Sequence, residues 1–165
     1  MGKKDDRVYV RGITSADYGL EGERQRMLKA PRVVKGKDQE WEGGPLHWNK
    51  TIICPQTVPA QTLYMHVEAM APGAHSQKHG HQNEAMFYIL DGKGYEIHDG
   101  KRYEWQAGDA VVVHAGCVHQ HFNADPNKPA RMLVIKTKPM YNFMNLNEQG
   151  LVEPGPQGPP FDPDA

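Results

Sequence analysis

The chain has 165 residues, enough for one complete hydrophobic core and too few for two ordinary domains. Nineteen Lys and Arg stand against twenty Asp and Glu, a formal charge of -1, so there is no diffuse basic field to hold nucleic acid or an anionic membrane surface. Apolar runs are short, as in Ala110 to Val113, and the opening MGKKDDR lacks the hydrophobic stretch of a secretory signal; both lead to the expectation of a cytoplasmic protein with no membrane partner. Cys54 and Cys117 make no disulfide framework and are expected to be reduced. Histidine is the unusual residue: of nine, four (His75, His79, His81, His98) fall between Ala74 and Gly100, and three more (His114, His119, His121) follow closely.

In chain order, the first expected element is a short helix over residues 17–30, with Ser15 as a cap, the helix-forming run ERQRMLKA and Pro31 as a stop. Trp41, Leu46 and Trp48 follow, separated by Gly43, Gly44 and Pro45, which suits an irregular arm laid over a barrel. From Leu63 onward, short β-branched and apolar runs are broken by Gly, Pro and Asp, the pattern of an all-β sandwich or barrel. Strands are expected at 63–70, 84–90, 94–98, 101–105, 110–113, 119–123 and 131–137, with Asp99-Gly100 as a two-residue hairpin turn. Phe87, Ile89 and Val112 are expected in the core, and Met65, Met86 and Met132 are expected to fill the barrel. Past Met140 the composition turns to Asn, Gly and Pro, ending GPQGPPFDPDA, and implies disorder or an arm docked on a neighbouring subunit. No internal repeat is visible. The resulting division is an N-terminal arm with a short helix over 1–59, packed on the barrel or a partner subunit, a barrel over 60–139 and a Pro/Gly-rich tail over 140–165.

Alternate positions on a strand share a face, so His79 and His81 point the same way and can grip one ion. A third ligand can come from a neighbouring strand, and His119 opens one after the Gly116 turn. A His-x-His pair alone is more often surface decoration. His66, His75 and His98 read as ordinary strand or loop histidines, and His114 as a turn residue or part of a pocket mouth. Cys117 shares parity with His119 and reads as a small buried hydrophobe.

These residues carry a resemblance to the cupin family. Its first motif is matched by Pro72, Gly73, His79, His81 and Gly92, and its second by Gly108, Gly116, His119 and Asn123, with His114 where Pro is usual. The resemblance implies an all-β fold, a single double-stranded β-helix or jelly-roll barrel, with His79, His81 and His119 as metal ligands. Ala85 occupies the position of the family's glutamate ligand. Glu84 faces away by strand parity unless a bulge turns it inward. Three neutral imidazoles would leave a divalent ion its full charge, which suits an anionic substrate bound bidentately.

Within the family, HGHQNEAMFYILDG and HQHFN are most similar to the gentisate and salicylate ring-cleaving dioxygenases, although those are generally two-barrel chains. The resemblance therefore implies an Fe(II) dioxygenase acting on a small hydroxylated aromatic or dicarbonyl anion, with Mn, Ni or Zn as alternative ions. His121 and Gln82, with Asn83 behind them, are the candidate catalytic residues beside the metal. Two other classes stand against this: a non-oxidative metal cupin (isomerase, lyase or decarboxylase), and a module that binds a small anion without turnover. Family habit further implies a homodimer formed through the N-terminal arm.

Overall fold

In the computed structural model, residues 20–164 are described; Ser15, Asp17 and the opening MGKKDDR lie outside them. Among the described residues the elements run α1 (Leu20–Lys29), β1 (Glu42–Gly43), β2 (His47–Ile53), β3 (Tyr64–Met70), β4 (Lys78–His81), β5 (Ala85–Asp91) and β6 (Lys93–His98). After these come β7 (Lys101–Gln106), β8 (Ala110–Val113), β9 (Val118–Asn123), β10 (Ala130–Lys136), α2 (Lys138–Met144) and β11 (Gln149–Glu153). Two sheets result, with strand orders β1-β2-β3-β10-β5-β8 and β11-β4-β9-β6-β7. Every pairing recorded between named strands is antiparallel. This is the jelly-roll architecture expected from the motifs.

Period-2 alternation decides which side chains fill the barrel. On β5, Ala85, Phe87 and Ile89 are buried while Met86, Tyr88 and Leu90 are exposed. They pack with Met70, Trp105, Val113, Met132 and Val134 into one apolar cluster. Each large member contributes about 1.5–3 kcal/mol by leaving water. Two expectations fail here: Val112 is 63% exposed, and Met86, its cross-strand partner on β5, is 44% exposed. The run AVVV is apolar throughout, so hydrophobicity could not say which valine faces in; the pairing with β5 does.

Asp99 and Gly100 both have positive φ, 48° and 85°, as the tight β6–β7 hairpin turn requires. Gly94 is demanded by crowding instead. A Cβ there would lie 2.0 Å from the Phe122 carbonyl oxygen and 2.4 Å from the Trp105 ring.

Where irregular chain was expected, β2 pairs along β3 from His47↔Met70 to Ile53↔Met65. The Gly43-Gly44-Pro45 punctuation lies ahead of it, at the end of β1 and in the turn that follows. The tail is also ordered on its own barrel. β11 pairs with β4, with Gln149 across from His81 and Leu151 across from His79. All five β11 residues are exposed, so the strand is held by backbone hydrogen bonds along the β4 edge, which a count of apolar residues does not register. Beyond it, Phe161 N–H donates to Pro45 O (2.9 Å), Arg131 donates to Pro163 O (2.9 Å), and Lys50 meets Asp164 at 3.3 Å. No described helix is long and apolar enough to cross a membrane.

Candidate metal centre

Strand β4 puts His79 and His81 on its inner face, and β9 sets His119 directly across from His79. The three are 8%, 6% and 1% exposed, with ring centroids 4.3 Å (His79–His119), 4.9 Å (His81–His119) and 5.5 Å (His79–His81) apart. One ligand nitrogen from each lies within 4.8 Å of the other two.

Backbone carbonyls determine which nitrogen that is. Nδ1–H of His79 donates to Gln77 O (3.3 Å), that of His81 to Asn83 O (2.6 Å), and that of His119 to Cys117 O (3.1 Å). Each bond holds the tautomer that leaves Nε2 with a free lone pair. Nε2 of His81 and of His119 is buried without a hydrogen-bond partner. A buried unpaired polar atom costs about 1–3 kcal/mol, and a cation shared among the rings removes that cost.

Burial, with the neighbouring His121 charge next in weight, pushes His79 down to about 4 and His119 to about 2. Burial also lowers His81. All three are neutral near pH 7, the state a metal ligand requires. The donor set therefore fits a divalent ion. Ala85 is buried on the inward parity of β5, whereas Glu84 is exposed, so among the described residues no carboxylate joins the three rings.

His121, two residues along β9 from His119, is 2% exposed, and its Nδ1–H donates to Glu96 on β6. Glu96 is fully buried and also accepts from Trp105 Nε1 (3.0 Å). Burial raises the Glu96 pKa, but the His121 charge and the hydrogen bonds outweigh it and hold the carboxyl low. Burial opposes protonation of His121, and Glu96 more than offsets this, so its pKa is raised. The two form a buried ion pair whose imidazole packs 5.2 Å from the His119 ring and 4.6 Å from Phe87.

A cavity of about 240 Å³ opens beside His79, lined also by Gly43, Gly44, His47, Glu68, Gln77 and Lys136. Glu68 accepts from His47 Nε2 (3.2 Å) and His66 Nε2 (2.9 Å). Burial raises Glu68, but these two bonds prevail and keep it well below the usual carboxylate range. Glu68, Glu96, Lys136 and His47 escaped the reading of the sequence. The signal available was parity, since Glu68 shares the inner face of β3 with Met70, and Glu96 that of β6 with Gly94.

The remaining candidates are dispersed. Gln82 is exposed, edging a second hollow of about 400 Å³ that also touches His81. Asn83 is buried, and its carbonyl orients His81. His66 and His98, expected to be ordinary, both face the interior: His66 binds Glu68, and His98 lies 3.8 Å from Glu96. His75 bonds Gln120 beside Phe122, away from the three rings. Asp99, His114 and Cys117 form a second, largely exposed group. There burial and Asp99 push the Cys117 thiol up to about 11, so it stays protonated and is a poor ligand.

Comparison with known proteins agrees with the barrel. Residues 66–136 match the cupin domain family. The chain is 26% identical over 96 residues to a 5-aminosalicylate 1,2-dioxygenase of a Comamonas species, covering 58% of this chain and 25% of that protein. It is 30% identical over 77 residues to an acireductone dioxygenase of Phaeosphaeria nodorum, covering 44% of each. The chain thus spans less than half the length of these curated relatives. Among solved structures, a salicylate 1,2-dioxygenase from Pseudaminobacter salicylatoxidans superposes with a TM-score of 0.61 at 14% identity, over 70% of this chain and 33% of that one. With the barrel's strand order, both histidine motifs in register and the family match across its central strands, residues 66–136 form a cupin domain.

Proposed function

We propose that this cupin is an Fe(II)-dependent dioxygenase acting on a small hydroxylated aromatic or dicarbonyl anion held bidentately at His79, His81 and His119. The observation that carries the reading is a ligand set of three imidazole Nε2 atoms with no carboxylate among them. Similarity to two proteins named as dioxygenases, one acting on an aminosalicylate, supports it.

A divalent iron bound there would supply full Lewis acidity and, with three protein ligands on one side, positions for two substrate oxygens and dioxygen. The chain's own residues do the rest. Gln77, Asn83 and Cys117 carbonyls hold the three rings in place, and the apolar cluster behind them keeps water from the inner side. His121, oriented and charged by Glu96, is the candidate proton donor or base next to the bound substrate. Gln82 is the other candidate and would act from the solvent side, beside His81. The reading extends to a homodimer in the cytoplasm, checked by light scattering and cell fractionation.

The test is anaerobic reconstitution of the metal-free protein with Fe(II), Mn(II), Ni(II) or Zn(II), followed by oxygen-electrode assays over hydroxybenzoic acids, catechols and 1,3-dicarbonyls. Oxygen uptake restricted to Fe(II) and one substrate class is expected; its absence across the whole set would overturn the reading. The second reading, a non-oxidative metal cupin, is favoured by the His121–Glu96 pair, which offers acid–base chemistry without an oxidant. Product formation under strict anaerobiosis would select it.

A further inference from the structure

We propose that Lys136 selects the substrate: its ammonium pairs with an anionic oxygen of the molecule bound at the three histidines, making the site specific for acids over their neutral counterparts. The inference rests on the reading that the cavity beside His79 is the substrate site, and it names what that site recognises.

Lys136 ends β10 on the strand's inward parity, continuing the row of Ala130, Met132 and Val134, all fully buried. Directly across from it stand Ala85 on β5 and Tyr64 on β3, and neither brings a carboxylate to the lysine. Lys136 lines the 240 Å³ cavity together with His79, His47 and Glu68. Among the described residues Glu68 is the only carboxylate on that lining, and both of its oxygens are engaged by His47 and His66. Among the described residues Lys136 has no hydrogen bond and no ion pair with an acidic group, although it is half-buried.

The Glu68 charge across the cavity favours the Lys136 ammonium without contacting it, so no hydrogen bond or contact ion pair satisfies the lysine, and a ligand oxygen can supply that contact. Burial lowers the Lys136 pKa against the opposing pull of the Glu68 charge, and the lysine's charge in turn opposes protonation of His66, His79, His81 and His121. Lys138, two residues on, adds a second ammonium at the rim, where it donates to Gln149 (2.9 Å). A divalent ion at the histidines would raise the positive charge further. The chemistry that answers this field is a carboxylate, on a molecule that also offers oxygens to the metal.

The experiment compares the Zn(II)-loaded protein with its Lys136→Met and Lys136→Arg variants, metal content being checked by elemental analysis. Each is titrated calorimetrically with 2,5-dihydroxybenzoate, salicylate and their methyl esters. In the wild-type protein an acid is expected to bind about 10- to 100-fold more tightly than its ester. K136M should lose most of that preference at unchanged metal content, and K136R should retain it. An acid preference that survives in K136M means the metal alone reads the carboxylate and overturns the proposal. So does a wild-type protein that does not distinguish acid from ester. Because the readout is binding to a redox-inert metal form, failed oxygen uptake with the acid preference intact would remove the dioxygenase reading and leave this one standing.

Discussion

His121 Nδ1–H donates to the carboxylate of Glu96, and both groups are buried beside the three-histidine cluster. An ion pair removed from water is stable only while both members are present. Replacing Glu96 with Ala strips His121 and the Trp105 indole of their acceptor, and a loss of about 3–5 kcal/mol is expected in urea unfolding. Glu96→Gln keeps an oxygen for Trp105 and should cost less, about 1–3 kcal/mol. Equal unfolding midpoints for the wild-type protein and E96A would contradict this account.

Metal retention should separate the ligands from their neighbour. His119→Ala removes one of three Nε2 donors and should leave the protein without stoichiometric metal after dialysis. His121→Ala should keep it, because the His121 ring is tied to Glu96 and lies outside the convergent set. For the wild-type protein, metal at 100 times its dissociation constant should add about 2.7 kcal/mol of stability, measurable as a shift in melting temperature.

The depressed pKa values of the three clustered histidines give the metal-free protein a defined pH dependence. Between pH 6.5 and about 4, an unfolded histidine binds a proton that folded His79 and His119 refuse. The unfolded state therefore binds more protons in that window, and stability rises with pH across it and falls as the medium is acidified. Denaturant unfolding of the metal-free form from pH 7.5 down to pH 4 should show a decline that begins near 6.5. The His79→Gln variant should make the decline shallower, with His119 still contributing.

Gly94→Ala should destabilise far more than Gly100→Ala. At Gly94 the added methyl would collide with backbone at 2.0 Å, which β6 and β9 relieve only by separating, whereas nothing lies within 4 Å of a Cβ at Gly100. A loss of about 3 kcal/mol or more is expected for G94A. For G100A, only the strain of a positive φ is expected, about 1 kcal/mol. Thermal melts of the two variants rank them directly.

Much of the barrel was legible in the residues because strands are local. The expected 110–113 strand matches β8, and six more expected strands coincide with observed ones to within a residue or two at either end. Helix α1 falls within its expected span. The arm and tail were misjudged for one reason: β2 and β11 are strands by virtue of β3 and β4, whose edges they join. A segment held chiefly by a neighbour's backbone carries little mark of it in its own composition. Val112 and Met86 were misplaced because uniform apolar runs hide parity.

By itself the sequence determined that His79, His81 and His119 would share an inner face and that Ala85 would bring no carboxylate to them, since strand parity and motif spacing are properties of short segments. Only the tertiary structure decided that Glu96 meets His121, that Glu68 is taken by His47 and His66, and that Lys136 stands between Ala85 and Tyr64 at the cavity wall. Parity says whether a side chain points inward. Which charges it finds there depends on how strands distant in sequence are laid side by side.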